Sequence, residues 1–600
     1  MENVYFNPEL LRFLLFQVHD LSELFKYDHY HDLDEDSVQI LLDSVKSFAD
    51  QELYPFFRQM DESPARFENG KILVHPQIGK IIRKGAELGL ISSQFEYKYG
   101  GMQLPVLVHY ALLHILDAAN NNVSGYLGLT SGAANLITSF GSTKLIETFV
   151  PQMLQGNWMG TMALTEPQAG SSLSDITTTA YLQSDQSYKI VGQKIFISGG
   201  DHQFAENFVH LTLARISDAP AGTKGISLFV VPSRRMEADG TLVDNDVITA
   251  GEINKLGQRG YATTHLIFGE HSDCIGWLVG EPHKGLSYMF KMMNEARMSV
   301  GVSAASMATA AYYASLLYAG QRKQGRPIGA GGRKEIEQEP VLINKHADVR
   351  RMLLLQKVIC EGSLSLVLEC ARLTDIHRVS GGEAKEEALL LLELLTPVVK
   401  TYPSEMGIIS ISNGLQILGG YGYTADFVLQ QYYRDIRITS IYEGTTGIQS
   451  IDLLGRKIPW QGGAALALLR KEINSVVDIA RQDMILSPYA EKMKDYVRLN
   501  DKILDHLSQF AKAGEYEKYL ADASIFMEFF STLIIGWQWL KMAVKARKNE
   551  NQGHAPAVNF SLEILDGLRF YFKYEMPKMI AGAETLTNTD FITLDKVKPN

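Results

Sequence analysis

Near Gly160 the side-chain pattern of this chain changes period, and near Lys284 it changes back. Before Gly160 apolar residues recur at helical spacing. In DEDSVQILLDSVKSFADQEL, for example, Asp36 or Ser37 stands where it caps the start. Between the two switches come short runs rich in β-branched and aromatic residues, such as KIVGQKIFIS, FVHLTLARI and GISLFVVP, punctuated by Gly, Asp, Pro and Ser. After the second switch the helical spacing continues. One interruption, the polar Gly-rich stretch 329–340, reads as an exposed loop. A period of 3.6 and a period of 2 mark different elements, and 600 residues exceed one hydrophobic core. The chain is therefore expected to be an α+β multidomain protein. The expected order is an extension over 1–35, a helical domain over 36–158, a central antiparallel β domain over 159–280, a helical domain over 281–460 and an additional helical domain over 461–600.

Composition narrows the function. The net charge of -11 opposes a nucleic-acid partner, which needs a basic face. None of the three cysteines lies in a CxxC pair, so no disulfide framework or zinc ribbon is implied, no metal is expected, and a reducing compartment fits. The N-terminus lacks the basic and long apolar regions of a secretory signal, and KVKPN is not a peroxisomal address, so a cytoplasmic location is expected. Met298 to Gln321 carries no formal charge, but it is rich in Ala, Ser, Gly and Tyr, a composition that inserts poorly. It reads as a close-packed buried helix, and no transmembrane segment is expected.

Four segments carry candidate chemistry. MALTEPQAGSSLSDI places Leu164, Thr165, Ser171 and Ser172 around a turn at Pro167 and Gly170, either as a plain β-turn or as a ring of amides and hydroxyls for a polar ligand. GQKIFISGG sets Phe196 and Ser198 at a strand end, where Phe196 flanks a flavin ring or fills the core. Arg297 lies inside an apolar helix and must meet an anion, either a structural carboxylate or a ligand phosphate. Arg322 and Arg326 flank Gly325 at a helix end, in position to hold pyrophosphate or to form a solvated charge pair. In the fourth segment, GLQILGGYGYTADFVLQQYYRDIRITSIYEGTTGIQ, Glu443 lies between Tyr442 and Gly444 at the end of an apolar run. Desolvation there raises a carboxylate and makes it a better base, whereas beside a helix start the same residue serves as a cap.

Taken in order, TEPQAGS, QILGGYGY and RDIRITSIYEGTTGIQ resemble the acyl-CoA dehydrogenase family over residues 36 to 458. The phrase GEPHKGLSYMFKMMNEARM and the helical tail look like its large bacterial branch, which includes enzymes like 3-methylmercaptopropionyl-CoA dehydrogenase. The resemblance implies a C-terminal four-helix bundle and FAD between it and the β domain. It further implies a homodimer or dimer of dimers, an acyl-CoA substrate and an electron-transferring flavoprotein as acceptor. By motif matching, Leu164, Thr165, Phe196 and Ser198 fall at the flavin ring, and Arg322 at the pyrophosphate. Gln416, Gly419 and Gly420 match the segment that meets the partner subunit's ADP moiety, and Thr445 a phosphate-facing hydroxyl. Ser171, Arg297, Tyr442 and Gly444 fall near the thioester and its CoA portion, with Ser171 also counted towards the cofactor. Glu443 matches the base that takes the α-proton while the flavin accepts the β-hydride, giving the trans-2-enoyl-CoA.

The chain departs from the family at several positions: Phe196 replaces a common Trp, Gln168 a Gly, Ser172 an Asp, and Gly447 a polar residue. Ala296 occupies the site where some relatives carry their base, and Glu295 beside it points elsewhere on a helix. An acyl-CoA oxidase and a non-catalytic binding protein on the same scaffold are the alternatives. Gly125, Gly128 and Gly132, in the segment matching the acyl-tail helix, are read as room for a long or bulky chain.

Overall fold

The computed structural model describes residues 4–329, 332–333, 337–551 and 558–595. Parts of the expected 329–340 loop, 330–331 and 334–336, lie outside these. The chain divides into two compact units. One comprises Asp36–Pro105 and Ile115–Ala296, the other Met1–Glu35, Val106–His114 and Arg297–Asn600.

The first unit carries the β domain. An eight-stranded sheet runs in the order Val247–Glu252, Thr263–Phe268, Tyr188–Ser198, Ile275–Leu278, Ile226–Pro232, Asn207–Ile216, Trp158–Ala163, with Thr179–Leu182 joined beside this path. Antiparallel pairing dominates, as expected, with two parallel exceptions. Trp158–Ala163 and Thr179–Leu182 both pair in parallel with Asn207–Ile216. The long connection between Ala163 and Asn207 supplies the crossover that a parallel pair requires. Ile190, Ile197, Phe229, Val231, Leu266 and Phe268 pack into its core. The helical segment before the sheet also contains a hairpin, Arg66–Glu68 with Lys71–Leu73, turned on Asn69 and Gly70 with φ of 50° and 78°. Asn-Gly between apolar residues is a strong hairpin signal, and it is present in FENGKI.

The second unit is helical. Ala347–Val379 and Gly382–Leu418 pack against each other, and Ala347–Val379 is buried on nearly every side through its centre. Segments read as an extension and as an additional domain belong to this unit. From the tail helix Ala523–Asn551, Trp539 is fully buried and its Nε1 donates to the Val358 carbonyl at 3.1 Å. A Cβ at Gly362 or Gly567 would strike that indole, so both glycines make room for it. From the N-terminal segment, Tyr30 donates to Asp375 at 2.6 Å.

Among the described residues two helices are long and apolar enough to cross a membrane, Gly285–Ala319 and Ala523–Glu550, with 72% and 78% of their most apolar windows buried within the fold. The second was not singled out from sequence.

Candidate active site

In the first unit the TEPQAGS turn is organised by a residue the motif reading passed over. Glu166 is 2% exposed. It accepts hydrogen bonds from the backbone N–H and side-chain hydroxyl of both Thr177 and Thr178, at 2.6–3.0 Å, and from Gln168 Nε2 at 2.7 Å. Lys194, fully buried, pairs with it at 2.8 Å and donates to the Leu164 carbonyl at 3.0 Å. Burial pushes the Glu166 carboxyl up, but Lys194 and the threonine donors outweigh burial and hold it at about 2. The turn is thereby clamped to the strand Tyr188–Ser198, and Ile195 N–H donates to the Thr165 carbonyl at 2.9 Å.

The same strand has an irregular register near Phe196, whose φ is 61°. A bulge re-aims a side chain, and Phe196 is 59% exposed rather than in the core. Leu164 and Thr165 are half-buried, Ser198 likewise, and Ser171 is exposed. Where the family has Asp, Ser172 donates to Asp175 at 2.8 Å, so a carboxylate remains in this turn. Glu295 accepts from Asn135 at 3.3 Å. Gly125 does not leave open space, since a Cβ there would meet the Tyr261 ring at 2.8 Å, whereas Gly128 has nothing within 4 Å. The reading of Gly125 as room for an acyl chain is therefore replaced by close packing.

In the second unit Glu443 and Gly444 form two consecutive left-handed residues, φ 54° and 88°. This conformation is costly for a residue with a side chain. Gly444 is required here twice over, because a Cβ would also stand 2.5 Å from Gln449 Nε2. That amide donates to the Glu443 carbonyl at 3.1 Å and fixes the turn. Thr445, not Glu443, caps the helix Thr446–Asp452, accepting from Ile448 N–H at 3.3 Å. Among the described residues the Glu443 carboxylate accepts no hydrogen bond. Desolvation raises it above the usual carboxylate range, against the pull of Arg297 and Lys400. Tyr442 is half-buried next to it.

Arg297 is 4% exposed and pairs with Asp452 at 3.1 Å, and Asp452 also accepts from Arg456. Its protein anion is thus a structural carboxylate, one of the two partners the sequence allowed. Several buried polar atoms here, Arg297 Nε, Lys400 Nζ, Ser440 Oγ and Gln449 Oε1, have no hydrogen-bond partner among the described residues. Unsatisfied groups of this kind suit a polar ligand.

A cleft of about 470 Å³ is lined by Tyr318, Arg322, Gln324, Leu418, Gly419, Gly420 and Tyr421. Arg322, Gly419 and Gly420, far apart in sequence, come together there, while Gln416 is exposed and does not line it. Gly419, with φ 61° and ψ -135°, has a conformation open essentially only to glycine, and neither glycine would meet an atom within 4 Å of an added Cβ. Arg326 instead donates to the Gln338 carbonyl.

Profiles of the acyl-CoA dehydrogenase N-terminal, middle and C-terminal domains match residues 35–157, 161–270 and 333–458, and one described as acetyl-CoA dehydrogenase C-terminal like matches 469–595. The chain belongs to the acyl-CoA dehydrogenase family. It is an oxidoreductase acting on acyl-CoA, and the cofactor of its family is FAD. Within the family it is similar to 3-methylmercaptopropionyl-CoA dehydrogenase of Ruegeria pomeroyi, with 34% identity over 88% of this chain and 89% of the relative. The fold matches that of Caenorhabditis elegans ACDH-11 in complex with C11-CoA, with TM-score 0.77, 22% identity, and 98% and 96% of the two chains covered. It also matches an acyl-CoA dehydrogenase complexed with FAD from Bacillus anthracis, with TM-score 0.72, 20% identity, and 94% and 90% covered.

Proposed function

We propose that Glu443 is the base of an α,β-dehydrogenation of acyl-CoA to trans-2-enoyl-CoA. The observation that carries this reading is a raised carboxylate with no hydrogen bond, on a strained turn, beside buried cations. Such a group is basic enough to take a proton from carbon. FAD, when bound, supplies the acceptor for the hydride leaving Cβ. Leu164, Thr165, Phe196 and Ser198 hold its ring. Arg322 holds its pyrophosphate, and Gln416, Gly419, Gly420 and Thr445 meet the remaining polar groups. The cleft at Arg322 and the orphaned polar atoms near Arg297 fit a ligand rich in phosphate and hydroxyl. Ser171, Arg297, Tyr442 and Gly444 shape the thioester and CoA side. Among the described residues the Glu443 N–H has no acceptor, so it is available to polarise the thioester carbonyl as enolate character develops.

The proposed setting is cytoplasmic acyl-chain oxidation by a homodimer or dimer of dimers, with an electron-transferring flavoprotein as acceptor. The relatives span a short methylthio-acyl substrate and a C11 acyl-CoA, so chain length is the property to measure. The test is anaerobic titration of the FAD-loaded protein with acyl-CoAs from short to long, including 3-methylmercaptopropionyl-CoA, followed by admission of air. Loss of oxidised-flavin absorbance with slow return in air is expected. No bleaching by any acyl-CoA would contradict the dehydrogenase, and fast return in air would convert it to an oxidase.

A further inference from the structure

Among the described residues Lys400 is the one buried cation near the Glu443 turn that no hydrogen bond or ion pair accounts for. It lies in Gly382–Leu418 between Pro397 and Pro403, is fully buried, and its ammonium makes no hydrogen bond among the described residues. A buried ammonium is expensive to keep unpaired, so its retention calls for a reason.

The packing locates it. Pro403 cannot donate to the Val399 carbonyl, and at that carbonyl Gly301 brings the Arg297 helix closest, since a Cβ on Gly301 would stand 2.2 Å from the Val399 oxygen. On the other side, Ser404 donates to the Thr439 carbonyl at 3.2 Å, and Glu405 accepts from Thr446. These contacts tie the Lys400 turn to both flanks of Glu443. Of the charged groups on the neighbouring elements, Arg297 and Arg456 pair with Asp452 and Lys457 pairs with Glu393, while Glu405 accepts from the neutral Thr446 hydroxyl. Lys400 remains, within electrostatic reach of Glu405, Glu443 and Arg297, the two carboxylates sharing its charge.

Resting on the assignment of Glu443 as base, we propose that Lys400 is a positioning residue for proton abstraction. It is the buried counter-charge of Glu443, stabilising the carboxylate without the hydrogen bond that would hold it still. Burial draws the ammonium down to about 8, against the pull of Glu405 and Glu443, so it stays charged through neutral pH.

The test compares wild type, Lys400→Met and Lys400→Arg in the FAD-loaded protein, measuring anaerobic flavin reduction against pH, and then melting temperature with and without Glu443→Gln. In Lys400→Met the acid limb of the rate is expected to move up by roughly 1 pH unit, while Lys400→Arg keeps it. Lys400→Met is expected to lower the melting temperature, because it leaves the buried Glu443 carboxylate without its counter-charge. Its melting shift should also differ in the Glu443→Gln background, as coupled residues require. A purely structural lysine would lower the melting temperature as well but leave the acid limb in place. Reduction of wild type with an unmoved limb in Lys400→Met would overturn the inference, as would additive melting shifts. Failure of wild type to be reduced by any acyl-CoA would overturn the Glu443 assignment, and the melting cycle would still decide the Lys400–Glu443 pairing.

Discussion

Glu166 and Glu443 are both glutamates at tight turns, each with cations nearby, and their surroundings give them opposite properties. Glu166 has an ammonium in contact and every lone pair occupied, and is held at about 2. Glu443 has Arg297 and Lys400 at a distance and no donor on its oxygens, and burial raises it. A cation in direct hydrogen-bonded contact, with the threonine donors beside it, separates the two. The first carboxylate holds backbone in place, and the second is left able to exchange a proton. The positive φ of Glu443 fits the same contrast, because strain of that kind persists only where surrounding structure imposes it.

The largest expected effect tests the structural half of this contrast. Glu166→Ala strands Lys194 as a buried unpaired charge and should cost about 3–5 kcal/mol, read by denaturant unfolding. Glu443→Ala, which breaks no hydrogen bond, should change stability by less than about 1 kcal/mol. Equal losses would erase the distinction. Next, Gly444→Ala forces a side chain into a left-handed position against Gln449 and should cost about 1–2 kcal/mol, with a larger fractional loss of activity than of stability. The smallest effect is in pH dependence. Because Glu166 lies below its ordinary value of 4.5, its stabilisation is complete above that pH and is lost as pH falls towards about 2. In Glu166→Gln that part of the acid unfolding curve should flatten.

Much of this was legible in the sequence. The two changes of period place the β domain, and the apolar run into Tyr442-Glu443-Gly444 marks the desolvated carboxylate. Some signals were present but outweighed. Asn69-Gly70 announces a hairpin inside a helical stretch, and Lys400 stands alone in the apolar run LLTPVVKTYP. Other features are set by tertiary structure. The Glu166–Lys194 pair closes across a strand and a turn, the exposure of Phe196 follows from a bulge in strand register, and Gly125 is small because Tyr261 packs on it. In sequence the tail reads as an additional helical domain. Trp539 packs it onto the bundle at Gly362, while Gly567 of the tail itself makes room for the same indole.

The central claim is that Glu443 removes the proton. Its direct test is the rate of anaerobic flavin reduction by saturating acyl-CoA, in wild type and Glu443→Gln, as a function of pH. Wild type should lose rate as pH falls through a pKa above the usual carboxylate range, because only the ionised base acts. Glu443→Gln should retain FAD and lose roughly a thousandfold in rate. A Glu443→Gln protein that is reduced at the wild-type rate with the same acid limb would contradict the account.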